Sequence, residues 1–252
     1  MKLFRTFSLL SIVVLIDCNL NETPTSKELI QRVIEVSGWD HPAFEMEFDF
    51  RDYHYFLKRQ SNGYVYQRMI QKEGVLQVDE MSNLSPLQRT LAGTPIKLSD
   101  SLQQLYTNSL NSVLYFFQLP LPLSDEAVIS ELVGEELIEG SSYWNVKVSF
   151  QEYGGGEDFQ DEYRYWIHKE TLTIDYLAYN YQTSGGGTRF RKAMHPRNIE
   201  GFRFQDYINL KPITKFPLLD SLPRWFEEGK LEEVSRIENL NIKVKKITPP
   251  NK

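Results

Sequence analysis

The sequence has few of the features that would narrow its class at once. Its 252 residues include a single cysteine, Cys18, which excludes an internal disulfide framework and a cysteine-based zinc site. The apolar segment at residues 7–16 is too short to cross a hydrocarbon layer of roughly 30 Å as a helix. The Gly-x-Ser-x-Gly motif of many hydrolases is absent, and no repeat is present beyond two glycine triplets. The chain therefore carries no single motif that identifies its activity.

Positive charge is also scarce. The formal net charge is −6, from 28 Lys and Arg against 34 Asp and Glu, whereas proteins that bind nucleic acids usually carry a basic surface. A basic run occurs at residues 189–192, but acidic segments flank it, and we interpret it as the solvated face of a strand. We therefore predict no nucleic-acid partner.

The side chains that could support catalysis or bind a metal are scattered. The two glycine triplets, residues 154–156 and 185–187, are interpreted as hairpin loops, because neither opens a helix or carries the Lys-Ser/Thr of a phosphate-binding loop. Adjacent carboxylates, as at residues 135–136, point to opposite faces of a strand. The four histidines are far apart in sequence: His41, His54, His168 and His195. We predict no catalytic residue, no metal site and no cofactor.

The first residues resemble an export signal. Lys2 and Arg5 precede the apolar segment at residues 7–16, and Cys18 follows it. Residues 15–18, Leu-Ile-Asp-Cys, resemble the lipobox of bacterial lipoproteins, in which the cysteine is lipidated and becomes the new N-terminus. Asp17 stands where a small residue is expected. We predict a signal peptide at residues 1–17, lipidation of Cys18 and a polar tether at residues 18–24, with a soluble secreted protein or an uncleaved anchor as alternatives.

Two helices are predicted by capping and periodicity. Residues 25–28, Thr-Ser-Lys-Glu, form a capping box before an apolar stripe that ends at Gly38, which predicts a helix at residues 26–37. Apolar residues at steps of three and four predict a second helix at residues 100–117, capped by Asp100 with Gln103. Residues 82–98 contain two prolines and a glycine and are predicted to be irregular.

Most of the remaining chain predicts antiparallel strands. The 14 Tyr, 15 Phe and 4 Trp favour pleated surfaces. Residues 43–50 alternate between apolar and acidic side chains, and the segments that follow are joined by short turns, which allow only antiparallel pairing. The last strand is predicted at residues 234–247, with a bulge. The fold class is α+β, mainly antiparallel β, with one domain at residues 25–247 and a tail at residues 248–252.

The order of these elements resembles a known group of proteins. Residues 144–146, Trp-Asn-Val, followed by residues 165–172, Tyr-Trp-Ile-His-Lys-Glu-Thr-Leu, resemble a Bacteroidota lipoprotein family that is itself similar to the periplasmic lipoprotein carriers (LolA/LolB-like). The resemblance implies an incomplete, unclosed β-barrel that wraps two or three helices. It also implies an apolar cavity able to hold acyl chains.

The resemblance leads to a functional hypothesis. We predict a lipid-anchored protein of the cell envelope, in the periplasm or at the outer membrane, that binds a lipid or other hydrophobic ligand and is not an enzyme. Two alternatives stay open: an envelope interaction module with a filled core and no ligand, and a hydrolase without a recognisable motif. Eight inward-facing residues are the cavity candidates: Phe44, Met46, Phe48, Trp144, Val146, Val148, Phe202 and Phe204.

Overall fold

The computed structural model describes residues 23–151, 161–182 and 185–248. The predicted signal peptide at residues 1–17, Cys18, most of the tether and the first glycine triplet lie outside these ranges. Two seven-stranded sheets and three α-helices make up the described chain. The helices are Ser26–Val36 (α1), Asp100–Phe117 (α2) and Leu222–Glu227 (α3).

The strands divide by sequence into two antiparallel sheets. Sheet A contains Phe44–Phe50 (β1), Tyr53–Gln60 (β2), Gly63–Lys72 (β3), Val75–Ser82 (β4), Ser85–Leu91 (β5), Thr94–Ile96 (β6) and Leu240–Lys246 (β14). Sheet B contains Val128–Ile138 (β7), Ser141–Phe150 (β8), Tyr163–His168 (β9), Ile174–Tyr181 (β10), Gly187–Ile199 (β11), Phe202–Pro212 (β12) and Leu231–Ile237 (β13).

The two sheets form an open barrel with a split in its wall. Sheet A has the strand order β14-β1-β2-β3-β4-β5-β6, and sheet B has the order β13-β12-β11-β10-β9-β8-β7. The described strands leave the sheets unpaired at two borders, between β6 and β7 and between β13 and β14. We call the second border, where residues 238–239 pass from one sheet to the other, the split. The predicted α+β class and unclosed barrel are confirmed. The single bulged strand predicted at residues 234–247 is wrong, because β13 and β14 pair with different sheets.

Helix α1 begins as predicted. The Thr25 hydroxyl accepts a hydrogen bond from the Glu28 backbone N–H at 3.2 Å, and the Glu28 carboxylate accepts one from the Thr25 N–H at 2.9 Å. This capping box satisfies two backbone donors that have no partner inside the helix. The helix then buries its apolar stripe, Leu29, Ile30, Val33 and Ile34, in the core.

Helix α2 has the predicted bounds, but its cap lies one residue earlier than predicted. The Ser99 hydroxyl, rather than Asp100, accepts from the backbone N–H of Leu102. Gln103 does not complete a cap, because its amide donates to the Leu87 carbonyl on β5 at 2.8 Å. The prediction that residues 82–98 are irregular is wrong, because they contain β5 and β6. Positive φ angles at Ala92 and Gly93 make a tight turn that pairs β5 with β6.

The main core contains one residue that contacts every layer. Trp39 follows α1, is 1% exposed, and meets aromatic rings at centroid distances of 5.2–6.4 Å, from β1 (Phe44), α2 (Phe117) and β12 (Phe202 and Phe204). Its indole N–H donates to the Arg203 carbonyl at 3.1 Å. Trp39 therefore joins both helices of the core and both sheets.

The backbone beside Trp39 is held just as closely. The Arg203 N–H donates to the Ser37 carbonyl at 2.9 Å. Gly38 has a φ of 72°, and a Cβ atom there would lie 1.9 Å from the Gly201 carbonyl oxygen. Only glycine fits this position, because any side chain would push α1 away from β12.

Part of the outer face of sheet B is covered. A second cluster packs there beneath residues 219–226, so strands β8 to β12 are buried on both faces where this cluster lies. The alternation of residues 199–210 predicts that Phe202, Phe204, Ile208 and Leu210 all face inward. Ile208 and Leu210 instead belong to this outer cluster. The reason is a shift in strand register between β11 and β12, which places Tyr207 inward. No helix in the described ranges has the length and apolar character needed to cross a membrane.

Replacement of Trp39 by alanine should destabilise the protein by about 3–5 kcal/mol, because a fully buried indole and its ring contacts are lost. The measurement is chemical denaturation followed by circular dichroism. Trp144→Ala is the matched control, since Trp144 is only partly buried. Trp144→Ala should lower the free energy of unfolding clearly less than Trp39→Ala does. Equal losses of stability in both variants would contradict a central role for Trp39.

Candidate functional site

The predicted cavity residues lie in the packed core. Seven of the eight are buried: Phe44, Met46, Phe48, Val146, Val148, Phe202 and Phe204. Trp144 is partly buried, and the ammonium group of Lys169 lies over its ring, 4.1 Å from the ring centroid. Phe48 stacks on Phe117 of α2 at a centroid distance of 3.7 Å. In this conformation α2 occupies the space between the sheets, and the ligand role of the eight residues stays a prediction.

Little volume remains among these side chains. A void of about 20 Å³ lies between α1, α2 and β12, where Phe204 is part of its wall. A space of this size holds one water molecule and no organic ligand. The hollow inside the barrel is therefore filled at its centre.

A larger cleft opens at the split between the sheets. It has a volume of about 250 Å³ and lies between the second half of α2, the β1–β2 turn and strands β11 to β13. Its apolar wall consists of Phe50, Val113, Phe116, Phe117 and Ile237. None of the eight predicted residues lines it. The cleft combines apolar walls with a mouth open to solvent, which is the usual form of a small-molecule site.

Two buried polar side chains in the cleft each have one atom without a hydrogen-bond partner among the described residues. Arg191 on β11 is 7% exposed, and its Nε–H has no hydrogen-bond acceptor within the described residues. Asn209 on β12 is 8% exposed and stands directly opposite Arg191 in the strand register. The Asn209 side-chain carbonyl likewise has no donor among the described residues. Buried polar atoms are nearly always paired, so two orphans side by side mark a site.

A buried ionic cluster supports the cleft from sheet A. Asp79, 0% exposed, accepts hydrogen bonds from Arg68 at 2.8 Å and from Arg89 at 2.5 Å. Arg68 also donates to the hydroxyl of Ser109, which lines the cleft. Burial raises the pKa of Asp79, but the bonds from Arg89 and Arg68 outweigh it and hold that pKa below its ordinary value. Two arginines share one carboxylate, so the cluster carries one net positive charge.

A groove on the outer face of sheet B differs from this cleft. An open groove of about 410 Å³ crosses the outer face of sheet B and is lined by Tyr143, Asp175 and Lys192, among others. Its polar groups already have partners: Tyr143 donates to Asp175, and Lys192 pairs with Glu139. These pairs already satisfy the polar atoms of the groove, whereas a ligand in the cleft would satisfy the unpaired atoms of Arg191 and Asn209.

Sequence reasoning missed the residues that define the cleft. Arg191 belongs to the basic run at residues 189–192, which was interpreted as solvated, and burial of Arg191 shows that this interpretation is wrong for it. The strand pattern could have shown the error, because Arg191 alternates with buried Phe190 between two covered faces. Asn209 and Ser112 carried no signal, since their importance depends on which strands and helices meet.

Comparison with known proteins gives a family and a fold. The model of a family of unknown function, DUF6503, matches residues 4–239. A LolA superfamily protein from Nitrosomonas europaea has a similar structure, with a TM-score of 0.53 and 12% sequence identity over 90% of this chain and 96% of that one. The fold is thus that of a LolA-like open barrel, as the resemblance implied.

Two further structures are more distant. A DUF1329 family protein from Desulfovibrio piger has a TM-score of 0.48 and 11% identity over 86% of this chain and 90% of its own. A domain from Vibrio parahaemolyticus, described as an outer-membrane lipoprotein-sorting protein, has a TM-score of 0.45 and 9% identity over 89% and 94%. No curated protein matches the sequence.

Asp79→Asn should destabilise the protein by about 3–5 kcal/mol, because two buried guanidinium groups would lose their carboxylate. The lowered pKa gives the sign of the pH effect. The stabilisation by Asp79 is complete above about pH 3.9, the pKa of an unfolded aspartate, and is lost as pH falls through the folded pKa. The measurement is the unfolding free energy as a function of pH, whose acid limb should be shallower in the variant.

The control for this change is Glu45→Gln. Glu45 pairs at the surface with Lys58 at 3.0 Å and with Lys245 at 3.1 Å. Solvent screens such pairs, so this variant should lose no more than about 1 kcal/mol. A similar loss in both variants would argue against a special role for the buried cluster.

Proposed function

Because this chain belongs to DUF6503, a family of unknown function, membership assigns it no activity, and we propose that it binds a hydrophobic ligand in the cleft at the split between its sheets. The observation that carries the proposal is the cleft itself. An apolar wall from α2 and β13 faces solvent where two sheet edges part, while the rest of the barrel is closed by its own side chains.

The size of the cleft limits the ligand. Its volume of about 250 Å³ lies just below the roughly 300–1,000 Å³ typical of drug-sized ligands. A single alkyl or acyl chain fits such a space better than a lipid with several chains. In the present conformation the ligand is therefore a slender amphiphile, with its chain along Val113, Phe116 and Ile237.

A larger ligand would require α2 to move. Of the 18 residues in this helix, Leu110, Leu114 and Phe117 are the ones fully buried. An outward shift of α2 would separate Phe117 from Phe48 and Phe204 and expose the inner faces of both sheets. The eight cavity residues predicted from sequence would act as ligand contacts only in such an open form.

We propose the cell envelope as the place of action. The support comes from the sequence: a charged start, the apolar segment at residues 7–16 and the lipobox-like residues 15–18. In this proposal Cys18 carries the lipid anchor, and residues 18–24 tether the barrel to the membrane. The hydrophobic ligand would then move only a short distance between the membrane and the cleft.

One observation favours the alternative of an interaction module without a ligand. The core between the sheets is filled, and α2 is stacked against β1 and β12. A barrel that never opens would leave only the cleft for small molecules. Binding experiments separate this alternative from the first proposal.

Ser112→Trp should weaken the binding of Nile red, a neutral apolar dye, at least about tenfold, because the indole would fill the cleft. Ser112 is exposed on the helix and lines the cleft. The matched control is Asn111→Trp, one residue earlier and exposed, but not part of the cleft wall. Dye fluorescence is titrated with each variant, and lipids that co-purify with the unmodified protein are identified by mass spectrometry.

The outcomes of this experiment are distinct. Loss of binding in Ser112→Trp alone supports the cleft. Equal binding by both variants would place the ligand elsewhere. If the unmodified protein binds no dye and carries no lipid, the ligand-binding proposal fails and the interaction module takes its place.

The anchor has its own test. Cys18→Ser should release the protein from the membrane fraction of expressing cells, because no lipid can be attached without the thiol. Fractionation followed by immunoblotting measures this, with labelling by a radioactive fatty acid as the direct readout. Unchanged membrane retention, or absence of label in the unmodified protein, would contradict the anchor.

A further inference from the structure

We infer that the cleft recognises an amphiphile with an anionic head group, held by Arg191 and Asn209. The inference rests on the proposed function and adds the chemistry of the ligand's polar end. Three observations carry it: the unpaired charge of Arg191, the orphan atom of Asn209 beside it, and the distribution of charge around the cleft.

Arg191 is a buried cation without an anion. Its Nη2 donates to the Tyr179 hydroxyl at 2.8 Å, and its guanidinium carbon lies 3.8 Å from the centroid of the Phe116 ring. It forms no ion pair with any carboxylate in the described part of the chain. The aromatic faces around Arg191 stabilise a cation less than a paired carboxylate or phosphate would.

An arginine at position 191 differs from a lysine in two ways that bear on ligand binding. A buried lysine can lose its proton and become neutral, but an arginine guanidinium is a permanent cation in proteins. Arg191 therefore brings a fixed positive charge to the cleft. Its fixed fork of N–H groups matches the geometry of carboxylate and phosphate oxygens.

Asn209 provides the second contact. Its amide donates to the Ser235 hydroxyl at 3.1 Å, while its carbonyl lacks a donor among the described residues. A hydroxyl can donate as well as accept, so Ser235 permits Asn209 to present either its carbonyl or its amide to the cleft. One orientation accepts from a protonated or hydroxyl-bearing head group, and the other donates to an anion that Arg191 also holds.

The charged residues that line the cleft are both positive. Arg51 and Arg191 line it, and no carboxylate does among the lining residues. Behind Ser109, the cluster of Arg68, Asp79 and Arg89 adds a further net positive charge. This local excess stands out in a chain whose formal net charge is −6. A positive site with low-dielectric walls attracts anions and disfavours cationic head groups.

The shape of the site places the two ends of the ligand. Arg191 and Asn209 lie on sheet B, while Val113 and Ile237 line the cleft from α2 and β13. A head group at Arg191 therefore leaves a single chain free to follow these apolar side chains. Fatty acids and single-chain phospholipids share this chemistry.

The test compares ligands that differ only in their heads. Decanoate, decyl phosphate and decanol are titrated into the full-length protein by isothermal calorimetry at neutral pH, below their micelle concentrations. The two anions should bind at least about tenfold more tightly than decanol, because their head groups form charge-assisted hydrogen bonds that a neutral alcohol cannot form. Tighter binding of decyl phosphate would identify a phospholipid source, and tighter binding of decanoate a fatty acid.

Arg191→Met should remove the preference for anions and leave the affinity for decanol within about twofold. Arg189→Met is the matched control. Arg189 lies two residues earlier on the same strand, is only partly buried and contacts Tyr181 outside the cleft. It should keep the preference of the unmodified protein. If Arg191→Met does not fold by circular dichroism, Arg191→Lys and the three ligands on the unmodified protein decide the question.

The results separate the two proposals. Equal affinity for anions and decanol in the unmodified protein, or a preference that survives in Arg191→Met, would overturn the anionic head group and leave the apolar cleft intact. If none of the three ligands binds while Nile red does, the ligand is hydrophobic but not a single-chain amphiphile. If neither these ligands nor the dye binds, the proposed function itself is wrong.

Discussion

The structure depends on the contact between the end of α1 and the start of β12. Trp39 places its ring among phenylalanines from both sheets and from α2, and its N–H bond to Arg203 fixes the ring against the backbone. Gly38 allows the two backbones to approach, because a Cβ atom would collide with Gly201. One aromatic cluster thus holds four elements that are distant in sequence. A barrel with a split in its wall needs such a contact, since hydrogen bonds between strands do not join its two edges.

The position of this contact also explains where the protein can bind anything. Around Trp39 the barrel is filled, and α2 lies against Phe48 and Phe204. Phe117 belongs to both this cluster and the cleft wall, and beside the cleft strands β13 and β14 diverge into different sheets. The chain turns there at Asn239, which Asp206 and Arg197 hold through hydrogen bonds of 3.0 and 2.6 Å. Rigid packing at one end and a pinned turn at the other leave the cleft open between them.

Much of the fold was predictable because its signals are local. The capping box at Thr25 and Glu28, the apolar steps of α2 and the alternation of β1 each depend on neighbours in sequence. The failures came from features that only tertiary structure decides. A shift in strand register places Ile208 and Leu210 on the outer face of sheet B. Residues 219–226 cover part of this face, which the alternation of the strands predicted to be exposed to solvent. The site was less predictable than the fold. Phe48 and Phe204 were correctly placed inside, but the packing of α2 against them was not visible in the sequence, and Arg191 looked like any basic residue on a strand.

Arg191 shows why a stable core and a binding site compete in a fold of this kind. Methionine or leucine at this position would pack against Phe116 without a desolvation cost, and replacement of buried charges by apolar side chains often stabilises proteins. The guanidinium instead stays charged, half satisfied by Tyr179, next to an asparagine with an orphan atom. Stability alone does not account for two such groups paired across β11 and β12. A ligand that brings an anion and an apolar chain accounts for both the charge and the cleft beside it, because it would satisfy the polar atoms and extend the core in one step.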